Sequence, residues 1–308
     1  MDKATTQHQW ESAAPGWAKW ENAIAEWAEP ATEAMLELAG IAPGAKVLDV
    51  ACGAGSQTLS AARKVGADGH VIASDISETM LQHVRENAEK AGLRNVSTLQ
   101  GAADELALPP DSVDAAICRL GLMLFPDPKS ALRCLHHALR PGGKVAVVVF
   151  TTPIANPPRA KAMQILLRHA GKPPPAPGQP GMYALGGPRT MEALYGECGF
   201  SDVVRREIKI PMVMRSATDA LQMMQDAFGA YRAVLRDCSE KVRKAAWTEV
   251  AEMLKTFETG GKFIAPSELL VAAATKPNAQ PKQRLDGQAI AHSILHSRGA
   301  FNLFVPKE

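Results

Sequence analysis

The chain has 308 residues, enough to bury one large α/β core with an added cap. Its net charge of +2 and its dispersed basic residues exclude the electrostatic footprint of a nucleic-acid-binding protein. We expect no membrane span, because no apolar run reaches about 18 residues. Five cysteines, an odd number without metal-ligand spacing, favour reduced thiols and predict a cytoplasmic protein.

The N-terminal segment, residues 1–40, is predicted to be a helical cover outside the sheet. Its tryptophans are Trp10, Trp17, Trp20 and Trp27. Pro15 and Gly16 predict an interruption, and a second helix over residues 30–39 opens with a proline and ends at Gly40. After the first break Trp17, Trp20, Ile24 and Trp27 share one helical stripe. For Trp20 and Trp27 this stripe predicts an aromatic face packed on the core.

Residues 46–55, Lys-Val-Leu-Asp-Val-Ala-Cys-Gly-Ala-Gly, are the centre of the sequence. The apolar run over 47–50 predicts a buried parallel strand. Gly53 and Gly55 would let a ligand approach the backbone closely, since they carry no side chain. A helix from Thr58 would direct its N-terminal amides at the same place. Strand, turn and helix together predict a nucleotide-binding site.

Two residues distinguish this motif from a dinucleotide fingerprint. Thr58 stands where that fingerprint has its third glycine, and Asp49 would repel a pyrophosphate. A carboxylate at this place suits a positively charged ligand with an amino group and a sulfonium. The segment Leu-Asp-Val-Ala-Cys-Gly-Ala-Gly resembles the first motif of class I, Rossmann-like methyltransferases that use S-adenosylmethionine. Among these it is most similar to the ubiquinone and menaquinone biosynthesis methyltransferases (UbiE type).

The later motifs come in the same order along the chain as in that family. A second strand, 70–75, ends in Asp75, whose carboxylate is predicted to accept both ribose hydroxyls. The resemblance implies that Asp104, after the third strand, binds the adenine amino group. Cys118 and Arg119 follow a fourth strand and are expected to face the cofactor, because ligands lie beyond the carboxyl ends of parallel strands.

The motif, the strand ends and the resemblance define two sets of candidate residues. The cofactor-binding set is Trp17, Asp49, Ala51, Cys52, Gly53, Gly55, Asp75, Ile76, Ala103, Asp104, Cys118 and Arg119. The substrate-binding set is Trp10, Met123, Phe125, Tyr183, Phe228 and Tyr231. In the family an N-terminal aromatic segment covers the cofactor, so Trp10 and Trp17 are expected either to line that chamber or to pack on the core.

The expected cofactor is S-adenosylmethionine, and no metal is expected because no His, Cys or Asp cluster has ligand spacing. No catalytic residue is assigned, because methyl transfer from a sulfonium needs no acid and depends mainly on positioning. His8, His169 and Tyr183 are the loop residues that could provide a base.

The resemblance implies an α/β fold with a Rossmann-like seven-stranded sheet. This sheet is mostly parallel with the last strand antiparallel, and helices cover both faces. The methyltransferase domain is predicted at 41–275, with a proline-rich loop at 153–188 and a helical insertion at 216–260. We expect the insertion to form a lid; the alternatives are packing on the sheet edge or on a second subunit in a homodimer. The C-terminal tail, 276–308, has no assigned role.

The expected reaction is direct in-line transfer of a methyl group from S-adenosylmethionine to an oxygen or ring carbon of a small, largely apolar acceptor. Two alternatives stay open at this point. One is a nicotinamide-dependent Rossmann oxidoreductase. The other is a non-catalytic, methyltransferase-like scaffold that binds the cofactor only to hold a complex together. A small-molecule substrate is the expected partner, without nucleic acid.

Overall fold

The computed structural model describes residues 3–176 and 179–278, which form ten strands and nine α-helices. The strands are β1 (Lys46–Val50), β2 (His70–Asp75), β3 (Val96–Gln100), β4 (Val113–Arg119), β5 (Leu139–Phe150), β6 (Ser201–Lys209), β7 (Met212–Met214), β8 (Glu258–Thr259), β9 (Lys262–Ala265) and β10 (Glu268–Thr275). The helices are α1 (Lys3–Leu38), α2 (Ser56–Val65), α3 (Glu78–Lys90), α4 (Pro128–Ala138), α5 (Pro157–Ala170), α6 (Thr190–Glu197), α7 (Ala217–Ala227), α8 (Gly229–Val234) and α9 (Glu240–Lys255).

Seven strands form one sheet in the order β3-β2-β1-β4-β5-β10-β6. Strands β1 to β5 pair in parallel, and β10 lies antiparallel between β5 and β6. This arrangement confirms the Rossmann-like sheet predicted from the sequence, with its last strand antiparallel. The strand order reverses between β1 and β4, which is where open α/β sheets bind ligands.

The burial pattern distinguishes the central strands of the sheet from its edge strand. Every residue of β1 after Lys46 is buried, and Asp114 is the only residue of β4 that is not. Such runs, apolar on both faces, are typical of central parallel strands covered by helices. Strand β6 instead alternates between less and more exposed residues, and Val204 is half exposed. That pattern suits an edge strand with one face towards water.

Helix α1 is continuous, so the predicted break at Pro15 and the predicted second start at Pro30 are wrong. A proline inside a helix costs about 3 kcal/mol, and here tertiary packing offsets that cost. Both prolines are exposed, while neighbouring side chains of α1 are buried against β5, β10 and α7. Gly16 allows the backbone of α1 to pack directly on the end of α7, because a Cβ at this position would lie 2.0 Å from the carbonyl oxygen of Asp226.

The predicted insertion at 216–260 contains α7 to α9 and the strand β8, which belongs to a small antiparallel sheet, β7-β9-β8, whose other two strands flank the insertion. Ser216 Oγ accepts a hydrogen bond from the Asp219 amide (3.1 Å), and Ser239 Oγ accepts one from the Val242 amide (3.3 Å). Ser216 and Ser239 are thus the N-caps of α7 and α9. The insertion packs against α1 and α5 of the same chain.

Two further points concern the rest of the chain. Apart from residues 276–278, the predicted C-terminal tail lies outside the described residues. Among the helices of residues 3–176 and 179–278, none combines the length and apolar character needed to cross a bilayer.

Candidate functional site

A cavity of about 490 Å³ lies beyond the carboxyl ends of β1, β2 and β4. Five stretches of the chain contribute to its wall: α1, the end of β1 with the start of α2 (50–57), the end of β2 with the start of α3 (75–80), the loop after β3 (101–104) and the stretch from the end of β4 into α4 (119–131). The lining residues are Thr6, Trp10, Trp17, Glu21, Val50, Ala51, Cys52, Gly53, Ala54, Gln57, Asp75, Ile76, Met80, Gly101, Ala102, Ala103, Asp104, Arg119, Leu120, Gly121, Leu124, Phe125, Pro126, Asp127 and Ala131. Its volume lies within the range of small-molecule sites, about 300–1,000 Å³.

The loop after β1 turns through left-handed backbone conformations. Ala51, Gly53 and Gly55 have φ values of 53°, 56° and 99°. A Cβ on Gly53 would have no atom within 4 Å, so this glycine leaves room on the ligand side. A Cβ on Gly55 would lie 3.0 Å from Val84 Cγ2, so this glycine serves the packing of α2 against α3. Gly55 itself does not line the cavity.

Asp75 joins the end of β2 to this loop. Its Oδ2 accepts a hydrogen bond from the Gly53 amide and its Oδ1 accepts one from the Ser77 amide, both at 3.0 Å. Burial raises the pKa of this carboxyl to about 6, against the lowering effect of those amides. Each carboxylate oxygen has a second lone pair. Asp75 thus has acceptor capacity left for hydroxyl groups of a ligand in the cavity.

Asp49 has a different role from the predicted one. Its side chain is fully buried and does not line the cavity. Oδ2 accepts a hydrogen bond from Thr58 Oγ1 (2.5 Å), Oδ1 accepts a longer one from Gln57 Nε2 (3.4 Å), and burial raises its pKa to about 7. The expectation that this carboxylate suits a cationic ligand is corrected: it fixes the first turn of α2. The sequence signal for this role was Thr58, whose hydroxyl stands where a dinucleotide fingerprint has its third glycine.

Arg119, at the end of β4, connects three parts of the wall. Its guanidinium donates to Thr32 Oγ1 of α1 (3.0 Å) and to Ser56 Oγ of α2 (2.5 Å). Burial lowers its pKa, and the carboxylate of Glu21 opposes this shift. Arginine stays charged under such conditions, so the cavity contains a fixed cation. Its neighbour Cys118 is buried behind the wall and does not line it.

The α1 residues of the wall form one stripe, which sequence reasoning missed in part. Thr6, Trp10, Trp17 and Glu21 are separated by four, seven and four positions, the spacing of one helical face. The predicted break at Pro15 concealed this stripe. Trp17 Nε1 is buried and has no hydrogen-bond partner among the described residues.

Two carboxylates of α1 hold the helix on the sheet domain. Glu21 Oε1 accepts a hydrogen bond from the Ser56 amide at the start of α2 (2.8 Å). Glu11 Oε1 accepts one from the Glu78 amide at the start of α3 (2.7 Å). Acidic groups are stabilising at helix N-termini because free amides and the helix dipole converge there. The N-terminal half of α1 is therefore anchored across two helix starts beside the cavity.

The structure brings together most of the cofactor-binding set and part of the substrate-binding set. The cavity wall includes Trp17, Ala51, Cys52, Gly53, Asp75, Ile76, Ala103, Asp104, Arg119, Trp10 and Phe125. It excludes Asp49, Gly55, Cys118, Met123, Tyr183, Phe228 and Tyr231. Met123 and Tyr231 are buried in the core, as are Met223 and Met224 of the insertion, because these apolar side chains fill space between helices.

The three candidate bases also lie outside the cavity wall. His8 is exposed on α1. His169 Nε2 lies 2.8 Å from a carboxylate oxygen of Glu249 on α9. Tyr183 donates a long hydrogen bond to the Asn156 carbonyl (3.4 Å), and burial raises its pKa to about 12. None of these positions brings a base to the cavity.

Gly121, in the segment after β4, packs closely against the loop after β1, and a substitution there tests this packing. A Cβ here would lie 2.7 Å from Ala51 Cβ and 3.0 Å from Cys118 Sγ. We expect Gly121→Ala to destabilise the fold by about 1–3 kcal/mol and to weaken ligand binding. Gly196→Ala is the matched control, because no atom lies within 4 Å of its Cβ in α6. The melting temperatures of the two variants are measured by calorimetry. Equal melting temperatures would contradict the close packing of Gly121.

Comparison with known proteins agrees with the sequence motif. Residues 41–169 match the family model of a methyltransferase domain. The ubiquinone/menaquinone biosynthesis C-methyltransferase UbiE of Pasteurella multocida is 37% identical over 123 residues, which are 40% of this chain and 46% of that protein. The chain thus spans about half the length of the curated relatives it matches.

Solved structures resemble this fold over a larger part of the chain than the family model covers. The YcgJ protein of Bacillus subtilis has a TM-score of 0.55 at 18% identity, covering 82% of this chain and 100% of that one. The [4+2]-cyclase SpnF has a TM-score of 0.52 at 17% identity, covering 88% and 97%. A named cyclase with this fold shows that the fold alone does not determine the reaction. The chain therefore carries a class I methyltransferase domain that resembles the UbiE type, as its motif predicts.

Proposed function

We propose that the protein is an enzyme that binds S-adenosylmethionine in the 490 Å³ cavity and methylates an oxygen or ring carbon of a small, largely apolar acceptor. The match of residues 41–169 to a methyltransferase domain supports this proposal. The single observation that carries it is the pair of carboxylates, Glu21 and Asp75, on amides of α2 and its preceding loop. This pair favours a cationic nucleoside ligand over a pyrophosphate.

The residues of the wall fit this cofactor. Asp75 retains lone pairs for the ribose hydroxyls, and Asp104 lies in the loop where the family binds the adenine amino group. Arg119 supplies a cation for the amino-acid carboxylate. Gly53 leaves the open space that a closely bound ligand needs. Each of these assignments is part of the proposal.

A nicotinamide enzyme is less consistent with this geometry. In dinucleotide sites the pyrophosphate binds amides at the N-terminus of the first helix. Here the first amide of α2, that of Ser56, already donates to Glu21. A pyrophosphate would have to displace one carboxylate and approach a second, Asp75, on the adjacent Gly53 amide. Like charges at such short range strongly disfavour binding.

The protein's contribution to the reaction is mainly positioning. When bound, S-adenosylmethionine supplies an electrophilic methyl group whose sulfur keeps the bonding electron pair on transfer, so the protein needs no acid catalyst. Trp10, Trp17, Leu124 and Phe125 provide apolar wall that excludes water and orients the acceptor. Orientation of this kind can contribute roughly 7–11 kcal/mol. Because His8, His169 and Tyr183 lie outside the wall, none of these three residues takes up the acceptor's proton, and we expect it to pass to solvent.

Two measurements test the proposal. Calorimetric titration with S-adenosylmethionine and with NAD is expected to show binding of the first alone. Incubation of a metabolite mixture with a cofactor carrying a deuterated methyl group is expected to yield products with the corresponding mass shift. Tight NAD binding without S-adenosylmethionine binding would contradict the proposed function. Cofactor binding without any labelled product would instead favour a non-catalytic scaffold.

A further inference from the structure

A second group of aromatic side chains lies beyond the cavity wall, around the guanidinium of Arg159 on α5. The Cζ atom of Arg159 is 4.7 Å from the ring centroid of Trp27, 4.9 Å from that of Phe150 and 5.9 Å from that of Phe228. Arg159 is only 2% exposed. The side chain is therefore a buried cation enclosed by aromatic faces.

The polar contacts of this guanidinium are few and weak. Of its five N–H groups, one donates to Ser267 Oγ and one to Met212 Sδ, both at 3.4 Å. Its Nε is buried and has no partner among the described residues. The ion pairs found for residues 3–176 and 179–278 include none to Arg159. A buried charge without a counter-ion is costly, and its aromatic contacts compensate only in part.

A chain of aromatic contacts connects Arg159 with the cavity. Trp10 and Trp17 lie in the cavity wall with ring centroids 6.4 Å apart, and Trp17 contacts Phe228 edge to face at 5.7 Å. Phe228 in turn lies over Arg159 and contacts Tyr231 at 6.1 Å. Phe228 thus separates two buried N–H groups without acceptors, Trp17 Nε1 and Arg159 Nε.

We propose that Arg159 binds the carboxylate of an aromatic acid, with Phe228 turning aside to admit it from the cavity. The guanidinium matches a carboxylate with two parallel hydrogen bonds, and the ring of the acid would take the place that Phe228 leaves beside Trp17 and Tyr231. Describing this acid as the methyl acceptor rests on the proposed function; the anion site does not. The acceptor class is then aromatic carboxylic acids, apolar apart from one anionic group.

A purely structural Arg159 makes different predictions. Replacing a buried ionic group by an apolar side chain of similar size is often neutral or stabilising. In that case Arg159→Met would leave ligand preference unchanged. A binding role requires instead that the variant lose its preference for an anion while keeping its fold.

The test compares 2-naphthoate with 2-naphthamide, which have nearly the same shape and differ in charge. Both ligands are titrated calorimetrically, with and without saturating S-adenosylhomocysteine. In the series with S-adenosylhomocysteine, its carboxylate is expected to occupy Arg119, so that Arg119 is not available to naphthoate. We expect naphthoate to bind about tenfold more tightly, the effect of a charged hydrogen bond, and Arg159→Met to abolish this difference. Arg168→Met is the matched control, since Arg168 lies on α5 but is exposed and pairs with Glu249.

Several results would overturn the assignment. Equal affinities of the two naphthyl ligands for the wild-type protein would do so, as would a preference that survives Arg159→Met. If circular dichroism shows that this variant does not fold, Arg159→Gln, which keeps polar N–H groups and removes the charge, replaces it, and an unchanged preference again overturns the proposal. Failure of S-adenosylhomocysteine to bind would contradict the proposed function alone, because the series without it still decides on the anion site.

Discussion

Deletion of residues 1–20 is expected to lower turnover by about a hundredfold or more while the sheet domain stays folded. The deletion removes Trp10 and Trp17 from the cavity wall, together with the Glu11 anchor on α3. Loss of positioning at a reacting centre commonly costs this much. The second half of α1 remains, and its buried Ile24 and Met35 belong to the main hydrophobic core.

A point-variant series separates lost positioning from lost packing. Trp10→Ala with Trp17→Ala is expected to reproduce the loss of turnover at little cost in melting temperature. Trp20→Ala is the control, because Trp20 Nε1 donates to Asp226 on α7 (2.9 Å) and does not line the cavity. It should affect stability more than turnover. A truncated protein with full activity would show that the segment only packs on the domain.

The central fold was predictable because its signals are local. The apolar run of β1, the glycines that follow it and the cap of α3 at Ser77 each depend on residues within a few positions. These units repeat in chain order, and parallel strands joined by helices have few allowed arrangements. The position of Asp75 at a strand end was likewise enough to predict that it lies in the ligand crevice.

The rest depended on contacts between residues far apart in the chain. Pro15 predicts a break by its local effect, yet α1 continues because α7 and the sheet support it. Glu21 has no local signal, since its partner is the Ser56 amide 35 positions away. Likewise, Tyr231 was expected in the substrate wall for its residue type. Its hydroxyl instead donates to the Arg159 carbonyl in the core (3.2 Å).

Buried carboxylates also set the expected pH dependence of stability. The pKa of Asp75 is raised from 3.8 to about 6, and that of Asp49 from 3.8 to about 7. At these two carboxyls the native protein therefore binds more protons than the unfolded chain between pH 4 and 7, whereas the carboxyls whose pKa is lowered, Glu11, Glu37, Asp127, Asp226 and Glu249, act in the opposite direction mainly below about pH 5. The free energy of unfolding of the ligand-free protein should fall as pH rises through this interval. Urea denaturation at pH 5 and pH 7.5 measures the difference; a rise in its place would contradict these shifts.

Cofactor affinity is expected to change in the opposite direction, rising about tenfold from pH 5 to pH 8. The proposed role of Asp75 is to accept ribose hydroxyls, and protonation below its pKa of about 6 removes acceptor capacity. With that pKa, pH 5 leaves about one tenth of the carboxyl ionised, and one pKa unit corresponds to 1.36 kcal/mol.

Calorimetric titration of S-adenosylhomocysteine across this interval measures the effect. Asp75→Asn is the control, because its amide keeps one acceptor oxygen and does not titrate. We expect this variant to bind weakly, with an affinity that no longer depends on pH. Ser56→Ala is a second control, since it removes a hydroxyl from the Arg119 guanidinium and leaves Asp75 unchanged. A wild-type affinity that stays constant from pH 5 to pH 8 would contradict the assignment of Asp75 to the ribose.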